Sequence, residues 1–172
     1  MKPLLAFLFL SISLVSCSVF NNEQDKEYLI EIMTSRTWVT PSYYDFPDQF
    51  RDAYEINFNK DGTFVQSRIF IDENNNELGY TNWVKASFSL EENEMISTTI
   101  ESYEVRPLLT GEFIILPLEE LLTSKYQDEN EAGTEWIREV SLSEASDTLW
   151  IKLTGLEAVF CGCPSGIHLA KE

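Results

Sequence analysis

Apolar and polar residues alternate along most of the chain beyond residue 36, which is the pattern of half-buried β-strands. Tyr54, Ile56 and Phe58 alternate with Glu55, Asn57 and Asn59 in this way. Lys60-Asp61-Gly62 then precedes a second apolar run, Thr63–Ile71. An Asp-Gly between two such runs predicts a hairpin, because glycine tolerates the positive φ that tight turns need.

The same alternation predicts further strands towards the C-terminus. Turn residues at Glu91–Glu94 and Ser143–Asp147 separate two more pairs of apolar runs. Glu112–Leu122 predicts a strand that ends near Pro117 and is followed by one helical turn. The other predicted strands are Val84–Leu90, Met95–Val105, Trp136–Leu142 and Leu149–Leu153, and a last one at Ala158–Cys161 or Gly166–Ala170.

One helix is predicted before these strands, over residues 24–35, where apolar residues recur at helical spacing. Eight or nine strands joined mainly by short turns favour an all-β fold, an antiparallel meander β-barrel with a short N-terminal helix. Closure into a barrel removes strand edges that would otherwise pair with other chains. A β-sandwich is the alternative.

The first residues of the chain resemble a targeting segment. Lys2 precedes the apolar run Leu4–Val15, which is about 12 residues long and too short to cross a bilayer as a helix. We therefore expect residues 1–16 to be a signal peptide, 17–27 a tether and 28–172 a single β domain.

Leu14-Val15-Ser16-Cys17 resembles the lipobox of bacterial lipoproteins. The resemblance implies that Cys17 becomes the first mature residue and carries acyl chains, which hold a protein stably on a membrane when there are several. Ser18, in place of an aspartate, favours the outer membrane within the cell envelope, on either face. An ordinary secretory peptide with an accidental cysteine is the alternative.

Thr37-Trp38 after a short helix, followed by repeated hairpins, resembles the lipocalin-like domains of small Bacteroidota lipoproteins. In that family a tryptophan at the start of the first strand plugs the closed barrel end. A glycine often stands two residues before it, where this chain has Arg36. The resemblance also implies a late arginine packed over the tryptophan, for which Arg138 is the candidate.

The charge excludes one class of partner. The 172 residues carry 29 Asp and Glu against 12 Lys and Arg, a net charge of −17. Because such a chain is repelled by phosphate backbones, nucleic-acid binding is not expected. Aromatic residues make up 13% of the chain, which suffices for a folded core rather than a disordered tail.

An eight-stranded barrel has an interior wide enough for side chains or for one small ligand. If the barrel is hollow, we expect a small apolar or amphipathic ligand to lie against Phe58, Phe64, Phe88 and Leu149. The alternative is that these side chains fill the core.

A predicted loop at residues 41–50 is rich in aromatic residues: Tyr43, Tyr44, Phe46 and Phe50. Such a cluster can form a lid over a cavity, or a platform for a sugar ring or a partner surface. The alternative is that it folds back to close one barrel end.

Two polar motifs could carry other chemistry. Cys161 and Cys163 could form a structural disulfide or packed thiols, a reducible disulfide, or with His168 part of a zinc site. Asp72, Asn74 and Asn76 have the spacing of a calcium loop, but Glu77 and Trp83 stand where an EF-hand requires glycine and glutamate. A strand connection is the better interpretation there, and no metal site is assigned.

No catalytic constellation is recognisable in a chain with a single histidine, so we expect neither an enzyme nor a cofactor. Two functions remain: a barrel that binds a small ligand, or a tethered module that contacts a glycan or another envelope protein. An exposed aromatic patch at Tyr43, Tyr44 or Trp83 would favour the second.

Overall fold

Eight antiparallel strands follow one another around a closed barrel in the computed structural model, which describes residues 22–40, 50–106, 114–153 and 166–170. The strands are β1 (Thr37–Thr40), β2 (Phe50–Phe58), β3 (Thr63–Asp72), β4 (Glu77–Glu91), β5 (Glu94–Glu104), β6 (Glu135–Leu142), β7 (Thr148–Leu153) and β8 (Gly166–Ala170). The helices are α1 (Asn22–Thr34), α2 (Leu118–Leu121) and a 3-10 turn at Ser124–Tyr126. The predicted all-β meander barrel with a short N-terminal helix is confirmed.

Strands adjacent in sequence pair with one another, and the barrel closes where β1 pairs with β8. Trp38 lies opposite Ala170 and Val39 opposite Leu169 at this seam. Of the two predicted positions for the last strand, Gly166–Ala170 forms β8. The described strands form a barrel and not the alternative β-sandwich.

The turn between β2 and β3 has the predicted geometry. Gly62 adopts a φ of +80°, a backbone conformation that costs glycine little. Asp61 fixes the turn through its carboxylate, which accepts hydrogen bonds from the Thr63 amide at 3.0 Å and hydroxyl at 2.6 Å. These bonds hold the pKa of Asp61 below its ordinary value.

The barrel has two different ends. The end that carries α1 and the β2–β3, β4–β5 and β6–β7 turns is called the helix end. The opposite end is called the loop end. The β3–β4 turn lies at the loop end, and so do the strand ends that the longer links join: Thr40 and Phe50, Glu104 and Glu135, and Leu153 and Gly166.

The main apolar core lies at the helix end. Met33 of α1 and Trp38 of β1 are fully buried there, and the indole Nε1 of Trp38 donates to the Met33 carbonyl at 3.0 Å. This bond satisfies one of the carbonyls that a helix leaves unpaired at its C-terminus. The Tyr28 hydroxyl also forms a hydrogen bond of 2.9 Å with the Ser146 hydroxyl in the β6–β7 turn. Helix α1 is therefore bonded both to β1 and to the β6–β7 turn.

The connection between β5 and β6 differs from the prediction. Its apolar run Glu112–Leu122 forms no strand in the part that the structure describes, where Leu116 alone makes a bridge, to Tyr80. The predicted helical turn is α2. The connection instead packs on the outer face of β4 and β5, where Leu116, Leu121 and Val105 form a second buried cluster.

Several predictions fall outside the described residues. These are the signal peptide, the Cys17 anchor, the alternative last strand at Ala158–Cys161, the aromatic residues Tyr43, Tyr44 and Phe46, and the pair Cys161 and Cys163.

Candidate ligand-binding site

Strand alternation places polar and charged side chains inside the barrel on the loop-end side of the core. Ile56 and Phe58 of β2 belong to the core, so Tyr54 and Asp52 share their inward face. Arg68 and Phe70 of β3 lie opposite Tyr54 and Asp52, respectively. Cross-strand partners point to the same side of a sheet, so all four of these residues face the interior.

Asp52 and Arg68 form an ion pair inside the barrel. The Nε and Nη2 atoms of Arg68 contact Oδ2 of Asp52 at 2.8 and 2.7 Å. The Asp52 side chain is 5% exposed and that of Arg68 is 24% exposed. Removing each charge from water costs roughly several kcal/mol, which the close contacts between the two groups offset. The pair is therefore weak evidence for added stability, because apolar side chains of similar volume often stabilise a protein as much or more.

Aromatic rings surround the Arg68 guanidinium. Its carbon lies 5.4 Å from the ring centre of Phe70 and 5.8 Å from that of Tyr54. Phe50 packs edge-on against Phe70 with ring centres 5.6 Å apart. Each cation–π contact of this kind contributes about 0.5–2 kcal/mol, depending on desolvation. Asp52, Tyr54, Arg68 and Phe70 are together called the Arg68 cluster.

A second arginine faces the interior from β6. Arg138 shares its face with Val140, a member of the core, and its Nη1 donates to Ser97 Oγ on β5 at 2.9 Å. Its guanidinium carbon lies 5.7 Å from the ring centre of Trp136. The hydroxyl residues Ser97, Thr99 and Ser102 of β5 are all buried.

Charged side chains of both signs face the interior of the described strands. Arg68 and Arg138 lie there, Asp52 is paired with Arg68, and the half-buried Asp72 shares the inward face of β3 at the loop end.

The predicted ligand-binding residues that the structure describes lie at opposite ends of the barrel. Phe58, Phe64 and Phe88 pack together at the helix end, with ring centres between 5.2 and 6.3 Å apart. Phe50 lies at the loop end beside Phe70. The expectation that Phe58, Phe64 and Phe88 fill the core accounts for their contacts better than a ligand does. Thr40 and Phe50, which flank the predicted aromatic loop, both lie at the loop end.

Sequence reasoning missed Asp52 and Arg68, and it assigned Arg138 a different partner. Arg138 stacks on Trp136, whereas the cation over Trp38 is Arg36, at 5.6 Å from the ring centre. Arg36 also donates to the Ser146 carbonyl at 3.1 Å. The alternation of inward and outward residues along β3 could have revealed the inward position of Arg68, because Arg68 is an even number of residues from both Phe64 and Phe70.

The carboxylate of Asp72 bonds groups of the β3–β4 turn itself, as expected of a strand connection rather than of a calcium loop. Asp72 Oδ1 accepts hydrogen bonds from the amides of Asn74 and Asn76, both at 2.8 Å. These contacts, and above all the bond from the Asn76 side chain, lower the pKa of Asp72. Within the described ranges, no three His, Cys, Asp or Glu side chains come together as metal ligands would.

Trp83 does not belong to an exposed aromatic patch. It packs against the outer cluster beneath the β5–β6 connection, with its ring centre 5.9 Å from that of Tyr103. Trp83 therefore does not supply the exposed patch that would favour a surface-contact function.

Comparisons with known proteins place the chain in no family. No model of a protein family matches it, and no curated protein matches it significantly. Within the described part of the chain, no helix combines the length and the hydropathy that crossing a bilayer requires.

Proposed function

We propose that this chain is a lipid-anchored protein of the cell envelope whose barrel binds a small amphipathic molecule without catalysing a reaction. The observation that carries the proposal is the division of the barrel interior. Its helix end is a packed apolar core, and its loop-end side holds buried charges among aromatic rings. A molecule with both a polar and an apolar part matches that second region.

The apolar part of the ligand would contact aromatic side chains near the arginines. Tyr54 and Phe70 flank Arg68, and Trp136 flanks Arg138. The polar part would meet the guanidinium groups and the buried hydroxyl groups of β5. An eight-stranded barrel that its own side chains do not fill has room for one such small molecule.

The anchor supports the proposal through the sequence around Cys17. Asn22, the first residue of α1, is five residues from Cys17, a chain length of at most about 18 Å. Since α1 packs on the helix end, an anchor at Cys17 would hold that end towards the membrane. The loop end, with the Arg68 cluster below it, would then face away from the lipid.

Mass spectrometry of the intact protein, solubilised from membranes of its own host, tests both parts of the proposal. We expect a denatured mass that lacks residues 1–16 and carries acyl chains, and a native mass with a bound small molecule. A Cys17→Ser variant is the control and should lack the acyl mass. An unmodified N-terminus would contradict the anchor, and an empty barrel that also takes up no added amphiphile would contradict the binding function.

A second candidate function is a surface that contacts a glycan or another envelope protein. Trp150 and Leu169 are 36% and 45% exposed on the outer faces of the adjacent strands β7 and β8. Exposed apolar side chains on neighbouring strands are typical of contact surfaces when they form a large patch. This candidate places the partner outside the barrel, so addition of envelope glycan or protein should shift the indole signal of Trp150 and leave that of Trp136 unchanged.

A further inference from the structure

We propose that the helix end of the barrel rests on the surface of a zwitterionic bilayer through exposed apolar side chains beside the anchor. The side chains are those of Tyr28, Trp150 and Leu169, which are together called the helix-end patch. This inference rests on the lipid anchor proposed above and goes beyond it, because an anchored domain need not touch the bilayer.

The three side chains of the helix-end patch lie on one side of the barrel. Leu169 of β8 pairs with Thr148 of β7, two residues before Trp150. Diagonal neighbours of this kind on one face of a sheet are about 7–8 Å apart. The Tyr28 hydroxyl bonds that of Ser146, which precedes Trp150 by four residues, a chain length of at most about 14 Å. The patch therefore extends from α1 across the helix ends of β7 and β8.

The side chains of this patch remain exposed although each is large and mostly apolar. Tyr28 is 52% exposed, Trp150 36% and Leu169 45%. Within the described ranges four other large apolar side chains are exposed, and they are on β4, β5 and β6 and directly after α2. Exposed apolar groups that lie together are typical of a surface that contacts a protein or a membrane.

The position of the anchor favours lipid as the partner. Cys17 is at most about 18 Å of chain from Asn22, and Tyr28 is about 9 Å further along α1. An acylated Cys17 lies at the bilayer surface, so the patch is within reach of the lipid headgroups. Tryptophan and tyrosine favour this interfacial layer, because each combines an apolar ring with a polar group. A glycan or protein partner would not require the patch to lie beside the anchor.

The anchor also makes a weak contact sufficient. Three side chains alone bind a bilayer weakly, but attachment through Cys17 makes their contact with lipid intramolecular. The effective concentration for a short flexible linker is roughly millimolar. A dissolved amphiphile has no such attachment, so the patch does not compete with the barrel interior for a dissolved ligand.

The charges at the helix end favour a zwitterionic bilayer over an anionic one. The exposed acids of α1 and the β6–β7 turn include Asp25, Glu27, Glu31, Glu144 and Asp147. The bases near them are the exposed Lys26 and Lys152 and the half-buried Arg36. Acids are therefore in excess there, as they are in the whole chain, with its net charge of −17. Anionic headgroups would repel this end over about 10 Å at 0.1 M salt.

Quenching of tryptophan emission by brominated lipid tests the inference on the intact, acylated protein. The protein is reconstituted into phosphatidylcholine vesicles with or without bromine on the acyl chains, and bromine quenches only indoles that touch the lipid. We expect quenching in the wild type and loss of most of it in Trp150→Phe. Trp83→Phe is the matched control and should keep the quenching, because Trp83 packs beneath the β5–β6 connection.

Further variants assign the contact to the patch. Leu169→Ser should reduce the quenching of Trp150, because it removes apolar area that the lipid covers. Ile100→Ser should not, since Ile100 is 44% exposed on β5 and lies outside the patch. Tyr28→Ser acts outside the sheet and should also reduce the quenching, so the test holds if the melting temperature shows that Leu169→Ser unfolds. Phosphatidylglycerol in the vesicles should reduce the quenching at low salt, and added salt should restore it.

The outcomes separate the contact from the anchor on which it rests. If the wild type floats with the vesicles and bromine leaves its emission unchanged, the anchor stands and the contact is wrong. If the protein carries no acyl chain and does not float, both proposals fail. Quenching that persists in Trp150→Phe would place the lipid elsewhere on the protein. Trp150 emission that responds only to added host glycan or envelope protein would identify another partner, and either result would overturn the inference.

Discussion

At the scale of single residues, short polar side chains fix the turns of this barrel by accepting hydrogen bonds from the backbone. Asp61, Asp72, Asp128 and Asp147 each accept such bonds or hydroxyl bonds, and the pKa of each is held below its ordinary value. A carboxyl with a lowered folded pKa stabilises the fold above its unfolded pKa, and this contribution disappears as the pH falls through the folded value.

Asp72→Asn tests this effect in the β3–β4 turn. The amide cannot replace the oxygen that accepts from the Asn76 side chain at 2.8 Å, so we expect the variant to unfold at lower urea concentration than the wild type at pH 7. The difference should shrink as the pH falls below the ordinary value of 3.8, because the wild-type carboxyl then protonates.

Glu73→Gln is the control, since it removes one exposed negative charge from the same turn. A difference between wild type and Asp72→Asn that stays constant from pH 7 to pH 3 would show that the charge of Asp72 contributes nothing.

The candidate site could be predicted only in part at this scale. Alternation places Arg68 on the same strand face as Phe64 and Phe70, so its inward position is visible in the sequence. Its partner is not, because Asp52 lies 16 residues away and the contact depends on the β2–β3 register. The sequence prediction placed a ligand against Phe58 and Phe88 because they are aromatic. In the folded chain both side chains pack in the apolar core.

At the scale of elements, local signals predicted the hairpins but not the β5–β6 connection. Asp61-Gly62 between two alternating runs suffices to specify a turn, and the β2–β3 pairing follows from it. The apolar run around Leu116 is compatible with a strand or with a packed irregular segment. The choice depends on the outer face of β4 and β5, which sequence-local reasoning does not reveal.

Gly79 provides a test of how that connection is held. Its φ is +142°, and an added Cβ would lie 2.6 Å from the Leu116 carbonyl oxygen. Gly79→Ala should therefore break the Tyr80–Leu116 bridge and expose the outer cluster, destabilising the protein by more than about 1 kcal/mol. Faster hydrogen exchange in residues 114–126 and a shifted Trp83 emission would report the change.

Gly133→Ala is the matched control, because Gly133 also has a positive φ, +80°, but an added Cβ would meet nothing within 4 Å. Equal destabilisation by the two variants would mean that backbone strain alone explains the loss and that the contact with Leu116 is unimportant.

At the scale of the whole molecule, the barrel interior is divided into a packed apolar core and a polar region. The helix end combines α1, Trp38 and the aromatic cluster into one apolar core. The loop-end half holds the Asp52–Arg68 pair and Arg138, whose desolvation offsets much of what their contacts contribute to stability. The number of strands and the need to remove free edges predicted closure. The pairing of β1 with β8 joins segments too distant in sequence for any local pattern to show.

The four tryptophans of the chain occupy four different environments, so their indole N–H signals report on four separate parts of the molecule. Trp38 lies in the helix-end core, and Trp83 lies under the β5–β6 connection. Trp136 lies beside Arg138 in the barrel, and Trp150 is exposed on the outer face. Single Trp→Phe variants assign the four signals.

Titration with dodecanoate, followed by these four signals in a ¹H–¹⁵N spectrum, tests binding inside the barrel most directly. The account predicts a saturable shift of the Trp136 signal, with the Trp150 and Trp38 signals unchanged. A shift confined to Trp150 would place the ligand on the outer surface and contradict binding within the barrel, and so would four signals that stay fixed to saturating dodecanoate.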